Sequence, residues 1–126
     1  MSTVLLSGCA ILKQKMLLLI RKKGKDIWEL PGGIVSSNND VKKLELAAQE
    51  KTRNQIGAEP SIIQQFTVLE YQNNDTNLEA TIFECDVEPE AEFNPGDNVD
   101  EVKWFELSKL IDEKIGEDVK AILEEL

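Results

Sequence analysis

The chain has 126 residues, 41% of them apolar, with four prolines and seven glycines. That length and composition describe one ordered domain able to bury a core without staples, and they exclude a disordered chain. A net charge of −10, from 24 acids against 14 bases, disfavours nucleic-acid polymers as partners, and no apolar run approaches the ~20 residues that a membrane span requires.

Thr3 to Leu12 and Met16 to Arg21 are apolar, β-prone runs separated by Lys13-Gln14-Lys15, a pattern that predicts a hairpin. Within the first run, Leu6-Ser7-Gly8-Cys9 is similar to a lipoprotein cleavage box. No Lys or Arg precedes it and the apolar stretch before it is too short for a signal, so it is read as strand. The charge is uneven along the chain: residues 1–25 carry six bases and no acid, which leaves −16 on residues 26–126. Such a patch suits a small anion such as phosphate. The plainer alternative is that Arg21-Lys22-Lys23-Gly24-Lys25 is a solvated turn.

Asp26 to Leu30 is expected to be a short strand leading into Pro31-Gly32-Gly33, where adjacent glycines mark a bend that side chains would obstruct. Ile34 and Val35 then resume extended backbone. Ser36-Ser37-Asn38-Asn39-Asp40 is a loop rich in capping residues, with Asp40 or Asn39 expected at the helix N-cap. Val41, Leu44, Ala48, Thr52 and Ile56 form one helical stripe, and Gly57 stops the helix. Ile62 to Tyr71 and Leu78 to Val87 read as strands around the polar turn Gln72 to Asn77. Glu88 to Asp100 is an acidic loop, and Glu101 to Phe105 a last strand. Ser108 to Ile111 suits one helical turn. Glu117 to Leu126 suits a terminal helix with Val119, Ile122, Leu123 and Leu126 on one side. Trp28 and Trp104, each within a strand-like segment, are read as packing residues in preference to base-stacking platforms. The whole is expected to be a mixed sheet with helices on its faces. Cys9 and Cys85, with no histidine, suggest reduced core thiols in a cytoplasmic protein. They leave only oxygen ligands for any metal.

Three motifs in order resemble the Nudix family of MutT-like hydrolases, which act on nucleoside diphosphates linked to another group. They are Trp28-Glu29-Leu30-Pro31-Gly32-Gly33, then Ala47-Ala48 in a helix closing at Gly57, then Glu101-Val102-Lys103-Trp104-Phe105. The resemblance covers nearly the whole chain. It implies an α/β class, Nudix fold: a single domain over residues 1–126, built as an α/β/α sandwich around a mixed β-sheet.

The family signature, G-x5-E-x7-R-E-U-x-E-E-x-G-U with U bulky and apolar, sets three glutamates on one helical face. Clustered carboxylates suit Mg²⁺, which offsets phosphate charge while a metal-bound or base-activated water attacks phosphorus. Fitted backward from Gly57, those glutamates fall on Lys51, Asn54 and Gln55, and the signature arginine falls on Glu50. The segment from Gly33 to the helix is about three residues longer than the signature, which puts the earlier glutamate near Lys42. Lys42 and Glu50 are therefore either a sign-reversed brace or, as preferred, ordinary charges on a solvated face.

A site of formal charge +1 where relatives carry about −3 is expected to impair or abolish metal-dependent hydrolysis. At an effective dielectric of about 20, charges 4 Å apart interact by about 4 kcal/mol. No metal ligands are assigned; Mg²⁺ enters only if hydrolysis is retained. Lys51 would instead meet a phosphate directly, together with Arg21, which stands where the family often places a phosphate-contacting arginine. The expected ligand-binding residues are thus Arg21, Gly32, Gly33, Lys51, Asn54 and Gln55, and the partner is a small phosphate-containing molecule. The runner-up reading is weak hydrolysis through substitute acids, with Glu101 and Glu50 as the catalytic candidates. A third is a non-catalytic interaction or regulatory protein. Homodimers are common among the relatives, and no segment of this sequence marks an interface.

Overall fold

The computed structural model describes residues 3–36, 40–96 and 98–126. β1 (Thr3–Lys13) and β2 (Met16–Lys22) form the expected hairpin. Its tip residues Gln14 and Lys15 both adopt positive φ, 52° and 64°, which matches the twist of an antiparallel pair. β3 (Gly32–Ile34), α1 (Val41–Ile56), β4 (Ser61–Asn73), β5 (Thr76–Asp86) and β6 (Val99–Glu106) follow, then a 3₁₀ segment at Leu107–Asp112 and α2 (Glu117–Glu125). Strands run in the order β4-β5-β1-β2-β6, with β3 beside β1. β1 and β5 are parallel, whereas the β1–β2, β1–β3, β2–β6 and β4–β5 pairs are antiparallel. This is the mixed sheet read from the sequence.

Both faces of the sheet are covered, which explains why β2 reads as an unbroken apolar run. Side chains alternate across a strand, so Cys9, Ile11, Leu18, Ile20, Phe83 and Cys85 pack on one face with Leu44, Ala48 and Ile56 of α1. Ala10, Leu17, Leu19, Ala80 and Ile82 point the other way and pack with Leu110, Val119 and Ile122. Two layers of helix around one sheet complete the sandwich. The Leu6–Cys9 segment lies within β1, and Cys9 is fully buried. Among the described residues, no helix is long and apolar enough to cross a membrane.

Helix α1 begins and ends as its flanking residues dictate. Asp40 caps it by accepting from Lys42 N at 3.0 Å, and Gly57 closes it at φ 74° with its N–H on Arg53 O at 2.9 Å. Asn39, the other expected cap, lies outside the described residues together with Ser37 and Asn38. Of the expected stripe, Leu44, Ala48, Thr52 and Ile56 are buried, while Val41 in the first turn stays exposed.

Three expectations are corrected. Asp26 to Leu30 is no continuous strand: Glu29 bridges Ile20 on one side and Trp28 bridges Ile115 on the other, so the segment is shared between two neighbours one residue at a time. The turn after β4 is tighter than Gln72 to Asn77, because Gln72↔Asn77 and Asn73↔Thr76 still pair. Leu126 is 49% exposed because α2 ends at Glu125, before that residue can turn back onto the sheet.

Ile122→Ala is accordingly expected to lower the unfolding free energy by about 2–4 kcal/mol, the usual loss for a fully buried aliphatic residue, against under about 1 kcal/mol for Leu126→Ala. Urea unfolding of the two variants reads the contrast, and equal losses would place α2 differently.

Candidate functional site

Residues 28–32 run as a strap between the C-terminal end of α1 and the start of α2, with nearly every backbone group engaged. Trp28 N–H donates to Lys114 O and Trp28 O accepts from Gly116 N, each at 2.9 Å. Glu29 exchanges both backbone hydrogen bonds with Ile20, at 2.8 and 2.9 Å. Leu30 N–H donates to Asp118 Oδ2 at 2.9 Å, and Pro31 O accepts from Cys9 N at 3.0 Å. Gly32 N–H donates to Gln55 Oε1 at 2.7 Å while Gln55 Nε2 donates back to Gly32 O at 2.9 Å. Gly32 has φ 141°, and a Cβ built there would lie 2.4 Å from Ser7 O. No side chain fits at that point, which accounts for the Pro-Gly-Gly bend.

The strap forms one wall of a cleft of about 770 Å³, with Ser7, Gly8, Ala80 and Ile82 of the sheet also lining it. Lys51 reaches it from α1, its stem lying across Gly33: a Cβ built on Gly33 would meet Lys51 Cδ at 3.1 Å and Nζ at 3.9 Å. Among the described residues, the Lys51 ammonium has no ion-pair partner within 4.0 Å. Lys22 and Lys25 line the same cleft but hold Glu29, at 3.6 and 3.8 Å. Glu117 and Asp118 line it too, so three lysines and three acids share the cleft in a molecule of net charge −10. Burial, and then the neighbouring charge of Glu29, push the Asp118 carboxyl up to about 6, against the pull of the Leu30 N–H. The same burial, with Asp118 and Glu29 nearby, raises Tyr71.

The structure gathers most of the residues expected from the sequence. Gly32, Gly33, Lys51, Asn54 and Gln55 all line the cleft. Arg21 and Glu101 are outside its lining and engaged with one another. Arg21 lies 3.5 Å from both Asp100 and Glu101 and stacks its guanidinium over Trp28, 5.8 Å from the ring centroid. Glu50 is exposed on α1 and lines a separate groove of about 330 Å³ with Ile34, Lys43 and Ala47, which shares Lys51 and Asn54 with the cleft. Lys42 and Glu50 make no ion pair among the described residues. Both tryptophans pack edge-on, Trp28 against Phe105 at 4.8 Å and Trp104 against Phe93 at 6.0 Å.

Magnesium requires hard oxygen donors in near-octahedral array. Lys51 contributes an ammonium, and the carbonyl oxygen of Gln55 already accepts from Gly32, so Asn54 alone keeps an uncommitted oxygen. Among the described residues, no three of Cys, Asp and Glu are grouped to hold a metal ion. These residues do not fit a divalent cation.

Glu29, Tyr71, Glu117 and Asp118 were not singled out from the sequence as site residues, and Lys22 and Lys25 were read only as part of a basic run that suits an anion or forms a solvated turn. The acidic pair at the head of the last helix offered a signal, but acids favour helix N-termini on general grounds, which hid the contact with Leu30.

A family model described as the NUDIX domain matches residues 5–126. No curated protein sequence matches the chain. Among solved structures, a MutT NUDIX hydrolase from Burkholderia pseudomallei superposes with a TM-score of 0.79 at 19% identity, covering 100% of this chain and 99% of that one. A MutT protein from Methanosarcina mazei Go1 gives 0.78 at 18% identity, over 97% and 91% of the two chains. The NUDIX domain of Shewanella oneidensis NrtR, solved in complex with ADP ribose, gives 0.78 at 17% identity, over 99% and 86%.

The raised Asp118 carboxyl makes a signed prediction. A folded-state value near 6, above the ordinary 3.8, means the fold favours the proton, so this group's contribution is present below pH 4 and lost as pH rises through 6. The loss amounts to at most about 3 kcal/mol. Asp118→Asn should therefore gain stability relative to the wild type between pH 4.5 and 7.5 in paired urea titrations, and a difference that stays flat with pH would contradict it.

Proposed function

Because the chain belongs to the NUDIX family, whose domain model spans residues 5–126, we propose that it binds a small phosphate-containing molecule, with the usual metal-dependent hydrolysis lost. The observation that carries this reading is Lys51: a lysine unpaired among the described residues, laid across the Gly32-Gly33 bend, stands where relatives carry a metal-binding acid. A lysine ammonium is a compact charge suited to phosphate oxygens and replaces the cation a carboxylate cluster would recruit. Asn54 adds an uncommitted amide beside it. A structural neighbour holding ADP ribose supports a nucleoside diphosphate derivative as the ligand class. Two free, buried thiols accord with a reducing, cytoplasmic setting.

Calorimetry with ADP, ADP-ribose and nucleoside triphosphates in EDTA tests this. Binding heat should persist without metal for at least one ligand, and Lys51→Ala should weaken it about tenfold or more, as expected for removing a charge-assisted hydrogen bond. No heat from any of them would end the proposal.

Loss of catalysis is tested separately by a hydrolysis screen over the same nucleotides with Mg²⁺ and Mn²⁺, carried out on the wild type and on Glu101→Gln. The expected outcome is no turnover above background for either protein. Robust metal-dependent turnover by the wild type would restore the hydrolase reading, and its loss in Glu101→Gln would assign that acid a part in it.

A further inference from the structure

We infer that Gln55 acts as a positioning residue: its amide locks the backbone of Gly32, and through it the Gly33–Lys51 contact, and does not itself touch the ligand. This rests on the anion-binding reading of the cleft and assigns one of its residues a different task. The amide faces a backbone N–H and a backbone C=O at once, accepting at 2.7 Å and donating at 2.9 Å. That is how a neighbouring strand residue would pair, and both polar ends of the side chain are engaged by it.

The lock is placed where the backbone needs it. Gly32 sits at φ 141°, a conformation that a single glycine holds only while its surroundings enforce it. Ser7 and Gly8 press on it from the sheet, with Ser7 O and Gly8 Cα 2.4 and 2.5 Å from a built Cβ. Gln55 closes the opposite side. The next residue, Gly33, carries the Lys51 stem, so a rotation of the Gly32 peptide would displace the cation that the cleft offers. One helical turn separates Lys51 from Gln55, which ties both contacts to the same face of α1.

A carboxylate at this position could accept from Gly32 N–H, but its second oxygen would oppose Gly32 O. A protonated carboxyl, in contrast, offers the same donor and acceptor as the amide. This gives a test with a built-in rescue. Hydrogen-exchange protection of the Gly32 amide, followed by NMR in ligand-free protein, should fall about tenfold or more in Gln55→Leu. In Gln55→Glu it should fall when the introduced carboxyl is ionised and recover as pH drops through that carboxyl's own pKa, tracked by its ¹³C resonance. The charged groups sharing the cleft with it are Lys51 on the same helix, Lys22 and Lys25, Glu29 on the strap, and Glu117 and Asp118 on α2. ADP affinity in EDTA, measured in parallel, should follow the same recovery in Gln55→Glu and drop tenfold or more in Gln55→Leu.

Unchanged Gly32 protection in both variants would overturn the lock and return Gln55 to direct ligand contact. Lost protection with undiminished ADP affinity would overturn its positioning role. If the wild type binds none of ADP, ADP-ribose and the nucleoside triphosphates, the anion-binding reading fails, and Gly32 exchange still decides the lock.

Discussion

The pairing of the Gln55 amide with both backbone groups of Gly32 is the contact on which the arrangement of the site depends. It joins the last turn of α1 to a stretch of chain that is neither helix nor regular strand. Asp118 does the same from α2, two residues earlier, by accepting from Leu30 N–H. Pro31 between them has no N–H to satisfy, and its carbonyl is taken by Cys9 of the central strand. The strap is therefore fastened from three directions, and the cleft wall it forms takes its shape from those fastenings. An irregular segment at a cleft can be ordered only if its backbone polar groups find partners.

That fastening also shapes the electrostatics. A side chain whose two polar ends are engaged by the backbone has at most one amide lone pair left to offer a cation. The acids in the cleft are either braced by lysines, as Glu29 is, or held in the first turn of α2, as Glu117 and Asp118 are. Asp118 serves its backbone contact while half-buried near Glu29, and its carboxyl rises to about 6 as a result. Lys51 is left beside a glycine with no ion-pair partner among the described residues. A chain of net charge −10 thus presents a locally balanced cleft in which, among the described residues, Lys51 is the uncommitted cation.

Much of the frame was legible in the residue order. The unbroken apolar run in β2 meant burial on two faces, and the stripe from Val41 to Ile56, followed by Gly57, marked α1 almost to the residue although Val41 itself stays exposed. The backward count from Gly57 placed Lys51, Asn54 and Gln55 on one helical face, and the structure brings all three to the cleft. Arg21 was legible as a residue but not as a contact: it faces Asp100 and Glu101 across the β2–β6 pair, and only the strand register decides that.

The sequence by itself determined the helix-covered sheet, the ends of α1 and the glycine bend, because each follows from local periodicity, capping or backbone freedom, while the charge change on α1 was visible only against the family signature. The tertiary structure alone decided that Gln55 would meet Gly32 across 23 residues and that Asp118 would meet Leu30 across 88. Hydrogen bonds between distant segments depend on how helices settle on the sheet, and no local pattern encodes which donor then faces which acceptor.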